Sequence, residues 1–173
     1  WPHKHHIDMI QALGILKKQG LVINLVLVGS KKEKWNTYQP MMALAQQLKV
    51  IDQVRYLGYV TGEEINALYK QAVALIMPTG FGPTSIPILE AWQMDCPVLY
   101  SNVRGCREQA GDAALLIDPT NPEDMAEKIR LIWEDENLRK DLITKGKARL
   151  ALWTTKDFRA RINQLISEFQ KPI

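Results

Sequence analysis

Short apolar runs alternate with stretches of helical periodicity along this chain. Runs of strand length lie at residues 22–28, 53–57, 72–77, 97–100 and 114–117. Most of them are nearly all apolar, which is typical of strands that helices cover on both faces of a sheet. The pattern therefore predicts five buried strands.

Helical patterns fill the intervals between these runs. Apolar residues recur at helical spacing in residues 7–18 and 40–48, and Thr61 with Glu64 resembles a capping box that opens a helix ending at Gln71. Further helices are predicted up to about Met94, at 105–110 and from Pro122 onward. From there the chain reads as helices only, with divisions near Asp135, Gly146 and Thr154.

Strict alternation of strands and helices favours parallel pairing with right-handed crossovers. We therefore predict an α/β fold with a Rossmann-like doubly wound parallel sheet. No internal repeat or linker divides the sequence, so residues 1–173 are expected to form a single domain.

Composition narrows the classes of function. Apolar residues make up 46% and charged residues 24%, as in a globular protein, and the longest apolar run is far shorter than the roughly 20 residues that span a bilayer. The net charge of +3 gives no reason to expect a nucleic-acid partner. Cys96 and Cys106 have no spacing typical of a metal or disulfide site, so we expect a cytoplasmic protein. The start at Trp1-Pro2, without an initiator methionine or a signal peptide, leads us to expect that something upstream has been removed.

Ligands of such sheets bind beyond the carboxyl ends of the strands. Of the loops there, residues 79–85 stand out because Gly80, Gly82, Thr84 and Ser85 directly precede a helix. Glycines allow close approach of the backbone, and amides at a helix N-terminus attract phosphate. The pattern fits equally well a plain loop in which Thr84 or Ser85 only caps the helix.

Glu90 lies early in the helix that follows this loop. A carboxylate there can accept hydrogen bonds from the two hydroxyls of a ribose, whereas an exposed helix glutamate would need no ligand. The loop lacks both the P-loop ending and the dinucleotide glycine pattern, which disfavours nicotinamide chemistry.

Several motifs in this order resemble the C-terminal domain of retaining GT-B glycosyltransferases, in the family called glycosyltransferase family four or group one. They are Gly58-Tyr-Val60, residues 63–69, Gly80-Phe-Gly82, Pro87-Ile-Leu-Glu-Ala91, Cys96-Pro-Val98, residues 111–119 and the helix from Pro122-Glu-Asp124. The resemblance covers essentially the whole chain. It implies a nucleotide-sugar-binding domain, the C-terminal half of a GT-B fold, whose N-terminal acceptor-binding domain is absent from this chain.

The resemblance also implies roles by position. Glu90 would bind the ribose, the loop from Gly80, Phe81 and Gly82 to Thr84 and Ser85 would face the diphosphate and the sugar, and Lys4 would contact the diphosphate. Gly58, Tyr59 and Val60 would touch the nucleobase of a UDP or GDP type donor. Catalytic residues would come from the absent domain. The resemblance also implies a role in the synthesis of cell-surface polysaccharide or lipopolysaccharide, which is typical of the family. Enzymes of the family are usually independent of metal ions, and we expect neither a cofactor nor a metal site at His3, His5 and His6.

One departure from the family concerns the donor sugar. The family usually has two glutamates separated by seven residues, but alignment places Gly82 or Thr79 where the first should be. Thr84 or Ser85 could take over the sugar contact. Two alternatives to the transferase stay open: a non-catalytic nucleotide-binding module and a sugar-nucleotide 2-epimerase.

Other features are interpreted as structural. Arg104 and Arg107 are expected at the solvated surface. Residues 139–161 hold eight basic and two acidic residues, which fits the outer face of a helix pair better than a peripheral contact with an anionic membrane. The tryptophans are expected in core or interdomain packing: Trp35, Trp92, Trp133 and Trp153.

Overall fold

The computed structural model describes residues 2–31, 36–82, 84–152 and 154–169. Eight helices within these residues are α1 (His6–Lys18), α2 (Tyr38–Gln47), α3 (Gly62–Gln71), α4 (Ile86–Gln93), α5 (Cys106–Ala110), α6 (Pro122–Glu134), α7 (Glu136–Ala151) and α8 (Thr155–Phe169). Five strands are β1 (Leu25–Val28), β2 (Val54–Gly58), β3 (Leu75–Met77), β4 (Val98–Ser101) and β5 (Leu115–Ile117). Short 3-10 helices cover Pro2–Lys4 and Ile51–Gln53.

All strand pairs are parallel, as the alternation of elements predicted. β1 pairs with β2, while β4 lies between β3 and β5. Among the described residues, the backbone hydrogen bonds thus form two separate sheets rather than the single continuous sheet that we expected. We call them the β1–β2 ladder and the three-stranded ladder of β3, β4 and β5. Both ladders nevertheless contribute to one core, because Leu25 and Leu27 of β1 pack in the same cluster as Ile76 and Leu99.

Helices cover both faces of the three-stranded ladder. Leu99 of β4 points into a core built with α1, α2 and α6, whereas its neighbours Val98 and Tyr100 point into a second core with α3, α4 and α5. The period of two along a strand sends successive side chains to opposite faces. This arrangement confirms the doubly wound α/β architecture.

The β1–β2 ladder is covered less completely. Its β1 run was predicted to be buried on both faces, yet Val26 and Val28 are 42% and 41% exposed. Leu25 and Leu27 point the other way and are half-buried. Apolar composition alone did not reveal that one face of this strand is open.

The capping box predicted for α3 is present. The Glu64 amide donates to Thr61 Oγ1 at 3.2 Å, and the Thr61 amide donates to Glu64 Oε2 at 2.7 Å. The first amides of a helix have no carbonyl acceptor within the helix, and the capping box supplies side-chain acceptors for two amides at this end. The helix therefore begins where the sequence placed it.

The division predicted at Gly146 is wrong, because α7 continues through it. A Cβ atom built on Gly146 would lie 2.4 Å from Cδ1 of Trp92. Glycine is therefore required here for close packing of α7 on α4, and not to end a helix. Trp92 is buried in the core as predicted, Trp133 is 40% exposed, and Trp35 and Trp153 lie outside the described residues.

Many basic residues of α7 are paired within the protein. Lys140 and Lys145 form i,i+4 ion pairs with Glu136 and Asp141, and Lys147 pairs with Asp95. The structure thus supports the helix-pair interpretation of this stretch. Within the described segments, none of the helices combines the length and the apolarity that spanning a bilayer requires.

Candidate functional site

The predicted donor-binding residues all lie at the carboxyl ends of the strands or next to them. They form two groups. One comprises Lys4, the loop after β3 and the start of α4, and the other comprises Gly58, Tyr59 and Val60 at the end of β2. Because the strands of each ladder are parallel, their following loops share one edge of the sheet.

The amino-terminal segment is attached to the glycine-rich loop. The Gly80 amide donates to the carbonyl oxygen of His3 at 2.8 Å. The rings of His3 and Phe81 meet edge to face, with centroids 6.0 Å apart. Lys4 follows directly and is half-buried. These contacts place the segment that contains Lys4 next to the loop of Gly80, and both were predicted to contact the diphosphate.

His5 explains why residue 80 is glycine. Its Nδ1 lies 2.9 Å from Asp8 Oδ2, which fixes the ring. A Cβ atom on Gly80 would lie 2.7 Å from His5 Nε2, closer than such atoms approach. The backbone of the loop therefore needs a residue without a side chain at this point.

The loop interior is held by Thr79. This residue is 3% exposed, and its Oγ1 donates to the carbonyl oxygen of Phe81 at 2.7 Å. Phe81 itself is 72% exposed, and Gly82 has a φ of 139°, which favours glycine. Thr79 is thus engaged within the loop, so it is poorly placed to substitute for a sugar-binding acid.

The Gln109 side chain of α5 makes two hydrogen bonds to the backbone of Ser85, the residue before α4. Its Oε1 accepts from the Ser85 amide at 2.8 Å, and its Nε2 donates to the Ser85 carbonyl oxygen at 2.9 Å. Ser85 is the N-cap of α4, but its side chain makes no capping hydrogen bond. The alternative in which the Ser85 hydroxyl caps the helix is therefore wrong, and the Ser85 amide is already in use.

Glu90 is half-buried, and its carboxylate accepts a hydrogen bond from within the protein. The Tyr69 hydroxyl of α3 donates to Glu90 Oε2 at 3.1 Å. Burial, followed by this hydrogen bond to a carboxylate, raises the pKa of Tyr69 above its ordinary value, so the phenol stays a donor. A carboxylate has about four lone-pair sites, which leaves capacity for further hydroxyl donors.

Two residues of the second group, Gly58 and Tyr59, line a cavity of about 410 Å³ together with Gly29, Ser30, Lys31 and Tyr56. Tyr38 and Tyr56 pack edge to face at 5.1 Å, and the Lys31 ammonium lies 4.7 Å from the centroid of each ring. Tyr59 is 84% exposed and Val60 is half-buried. Exposed aromatic and backbone groups of this kind can stack on and hydrogen-bond to a planar base.

Sequence reasoning missed several of these contacts. Gln109 lies 24 positions from Ser85, so no local pattern links them. Lys31, Tyr38 and Tyr56 meet only because β1, β2 and α2 pack together. In the part of the chain that the structure describes, no group of three or more histidine, cysteine, aspartate or glutamate side chains could hold a metal ion.

Comparison with known protein families identifies a family for most of this chain. Residues 1–149 match the family described as glycosyl transferases group 1. A similar relative is O-antigen chain mannosyltransferase B of Escherichia coli, 34% identical over 96 residues, which cover 56% of this chain and 25% of the relative. O-antigen chain mannosyltransferase RfbU of Salmonella typhimurium is 28% identical over 135 residues, covering 76% of this chain and 36% of that protein.

Solved structures share the fold at low sequence identity. A glycosyltransferase from Rickettsia africae has a TM-score of 0.86 and 19% identity, over 99% of this chain and 46% of its own. Anabaena Alr3699/HepE, solved in complex with UDP and glucose, has a TM-score of 0.84 and 19% identity, over 97% of this chain and 46% of its own. The chain therefore spans less than half the length of these relatives and structures.

Proposed function

Because this chain belongs to the glycosyl transferases group 1 family, we propose that it is the donor-binding part of an enzyme that transfers a sugar from a nucleotide diphosphate sugar to a hydroxyl acceptor. Attachment of the Lys4 segment to the Gly80 loop is the observation that carries this proposal. It joins a cation to a glycine-rich loop next to the helix that bears Glu90.

Each group has a role in this reaction. When the bond between the sugar and the diphosphate breaks, negative charge grows on the departing phosphate oxygens. The Lys4 ammonium would stabilise that charge electrostatically. Glu90, held by Tyr69, would accept hydrogen bonds from the ribose, and the cavity at Gly58 and Tyr59 would receive the base.

We propose further that transfer proceeds with retention, that no metal ion takes part, and that the acceptor binds to a second domain. The HepE structure with UDP supports a UDP donor, and the names of the mannosyltransferases support testing a GDP donor alongside it. The O-antigen relatives support a role in polysaccharide assembly.

Titration of the 173-residue chain with UDP, GDP, ADP and phosphate, by calorimetry or NMR, tests the proposal. We expect a nucleoside diphosphate to bind, and Glu90→Gln to weaken binding by at least about tenfold, since a hydrogen bond to a charged group contributes about 1.5–3 kcal/mol. Glu63→Gln, an exposed glutamate of α3, is the matched control. Absence of binding at millimolar concentration would refute the donor site, and a loss of affinity on adding EDTA would refute metal independence.

A non-catalytic nucleotide-binding module is the second candidate, favoured by the missing acid at Thr79 and Gly82. The two functions differ in whether the sugar adds affinity. A transferase should bind its nucleotide sugar differently from the free nucleotide, and Thr84→Ala should reduce that difference because Thr84 is exposed in the loop. Turnover of a UDP-sugar by the longer enzyme without any acceptor would instead indicate the epimerase.

A further inference from the structure

We propose that Gln109 is a positioning residue that sets the backbone of the glycine-rich loop, residues 79–85, and that diphosphate affinity depends on it. This inference rests on the function proposed above. It concerns a residue outside the loop, on α5, whose side chain bonds to both backbone groups of Ser85.

The primary amide of glutamine matches this task chemically. Ser85 presents one N–H donor and one carbonyl acceptor, and the Gln109 amide presents the complementary pair at 2.8 and 2.9 Å. The side chain thereby bonds to Ser85 as a second peptide group would in a sheet. Glutamate lacks the donor, and methionine lacks both groups, at a similar side-chain length.

A buried tyrosine fixes the orientation of this amide. The Tyr100 hydroxyl donates to Gln109 Oε1 at 3.1 Å, and Tyr100 is 1% exposed. Rotation of the amide by half a turn would place an NH₂ group against the Ser85 amide. The hydrogen-bond network therefore selects one orientation.

A second tether comes from the same helix. Cys106 Sγ, one turn before Gln109, donates to the Gly82 carbonyl oxygen at 3.5 Å. Helix α5 thus contacts the loop at residues 82 and 85, on either side of the exposed Thr84. The helix itself is held by Arg149 of α7, which donates to the carbonyl oxygens of Glu108 and Gln109 at 2.6 and 2.7 Å.

These contacts give Gln109 a functional consequence beyond stability. It engages the Ser85 amide, so this group is withdrawn from any anion, and it fixes where α4 begins relative to Lys4. When the amide pair is lost, the loop gains conformations that do not fit a diphosphate. Affinity for the diphosphate should fall, while affinity for the nucleoside part should not.

The experiment compares Gln109→Met and Gln109→Glu with the parent chain, using calorimetry or NMR with UDP and GDP and with uridine and guanosine. For Gln109→Met we expect about tenfold weaker diphosphate binding, equivalent to about 1.4 kcal/mol, and nucleoside binding within about twofold of the parent. Gln109→Glu should weaken diphosphate binding at least as much, because its charge lies beside the loop. Gln46→Met, on an exposed face of α2, is the matched control and should change neither affinity.

Parent-like diphosphate affinity in Gln109→Met would overturn the inference, as would an equal loss for diphosphate and nucleoside, which a general structural defect produces. If the parent chain binds no nucleotide, the proposed function fails by itself. Hydrogen exchange of the Ser85 amide then still decides the positioning role, since faster exchange in Gln109→Met supports it and unchanged exchange rejects it. Tyr100→Phe supplies the same test with an intermediate effect if Gln109→Met does not fold.

Discussion

Three histidines within four residues occupy three different environments. His3 packs against Phe81, His5 is fixed by Asp8 beside Gly80, and His6 opens α1. Burial, together with nearby positive charges such as Lys4, lowers the pKa of His6 from 6.5 to about 4. His6 is therefore neutral in the folded protein at pH 7, and unfolding raises its affinity for protons.

Removing His6 should flatten the pH dependence of stability. Below pH 6.5 the unfolded chain binds a proton that the folded chain does not, so the free energy of unfolding falls as pH drops from 6.5 toward 4, by up to about 3 kcal/mol. Urea unfolding of the parent and of His6→Gln between pH 8 and 4.5 measures this difference. Above pH 7 the two slopes should agree. Identical slopes below pH 6 would contradict the environment described for His6.

Gly80→Ala should disturb the loop through His5. The new Cβ atom would lie 2.7 Å from Nε2, so the ring or the loop must move, at a cost of about 1–3 kcal/mol. We expect a lower midpoint of thermal unfolding and weaker binding of nucleoside diphosphate. Gly62→Ala is the control, because nothing lies within 4 Å of its Cβ position. Equal behaviour of the two variants would show that His5 does not restrict residue 80.

At the scale of elements, α7 shows where local pattern and tertiary packing disagree. Gly146→Ala raises helix propensity by about 1 kcal/mol, yet its Cβ atom would overlap Trp92, whose Nε1 is held by the Ala113 carbonyl oxygen at 3.1 Å. We expect net destabilisation of about 1–3 kcal/mol in urea unfolding. Ala148→Gly, at an exposed position of the same helix, should cost about 1 kcal/mol through propensity alone. A Gly146→Ala protein more stable than the parent would contradict the packing.

The sequence predicted local elements well and distant contacts poorly. Periodicity located five strands and the capped start of α3, because these depend on residues close together along the chain. The same reasoning ended a helix at Gly146 and could not decide whether the Ser85 hydroxyl caps α4. Both cases have one cause: partners from another element, Trp92 and Gln109, determine how these residues are packed or bonded. The candidate site could be located by strand ends and resemblance, but not the contacts that shape it.

At the scale of the whole molecule, two ladders are joined by side chains. Leu25 and Leu27 pack with Ile76 and Leu99 under α1, while the strands pair only within their own ladders among the described residues. The alternation of strands and helices predicted one sheet, because it indicates parallel strands but contains no information on which backbone groups pair. The residues proposed to bind the ribose and the diphosphate lie at the three-stranded ladder, and the cavity proposed to receive the base lies at the other.

This division implies that the two ladders open at different free energies. β4 has a paired strand on either side, and its residues are at most 1% exposed. Its amides should therefore exchange with deuterium only when the whole protein unfolds. Amides of β1 and β2 should exchange through cheaper local opening. Exchange measured in increasing urea would reveal the two classes, and equal protection would rule out separate opening. A nucleotide that contacts both ladders at once should slow exchange most in β1 and β2. It would then link two parts of the fold that, among the described residues, no strand pairing connects.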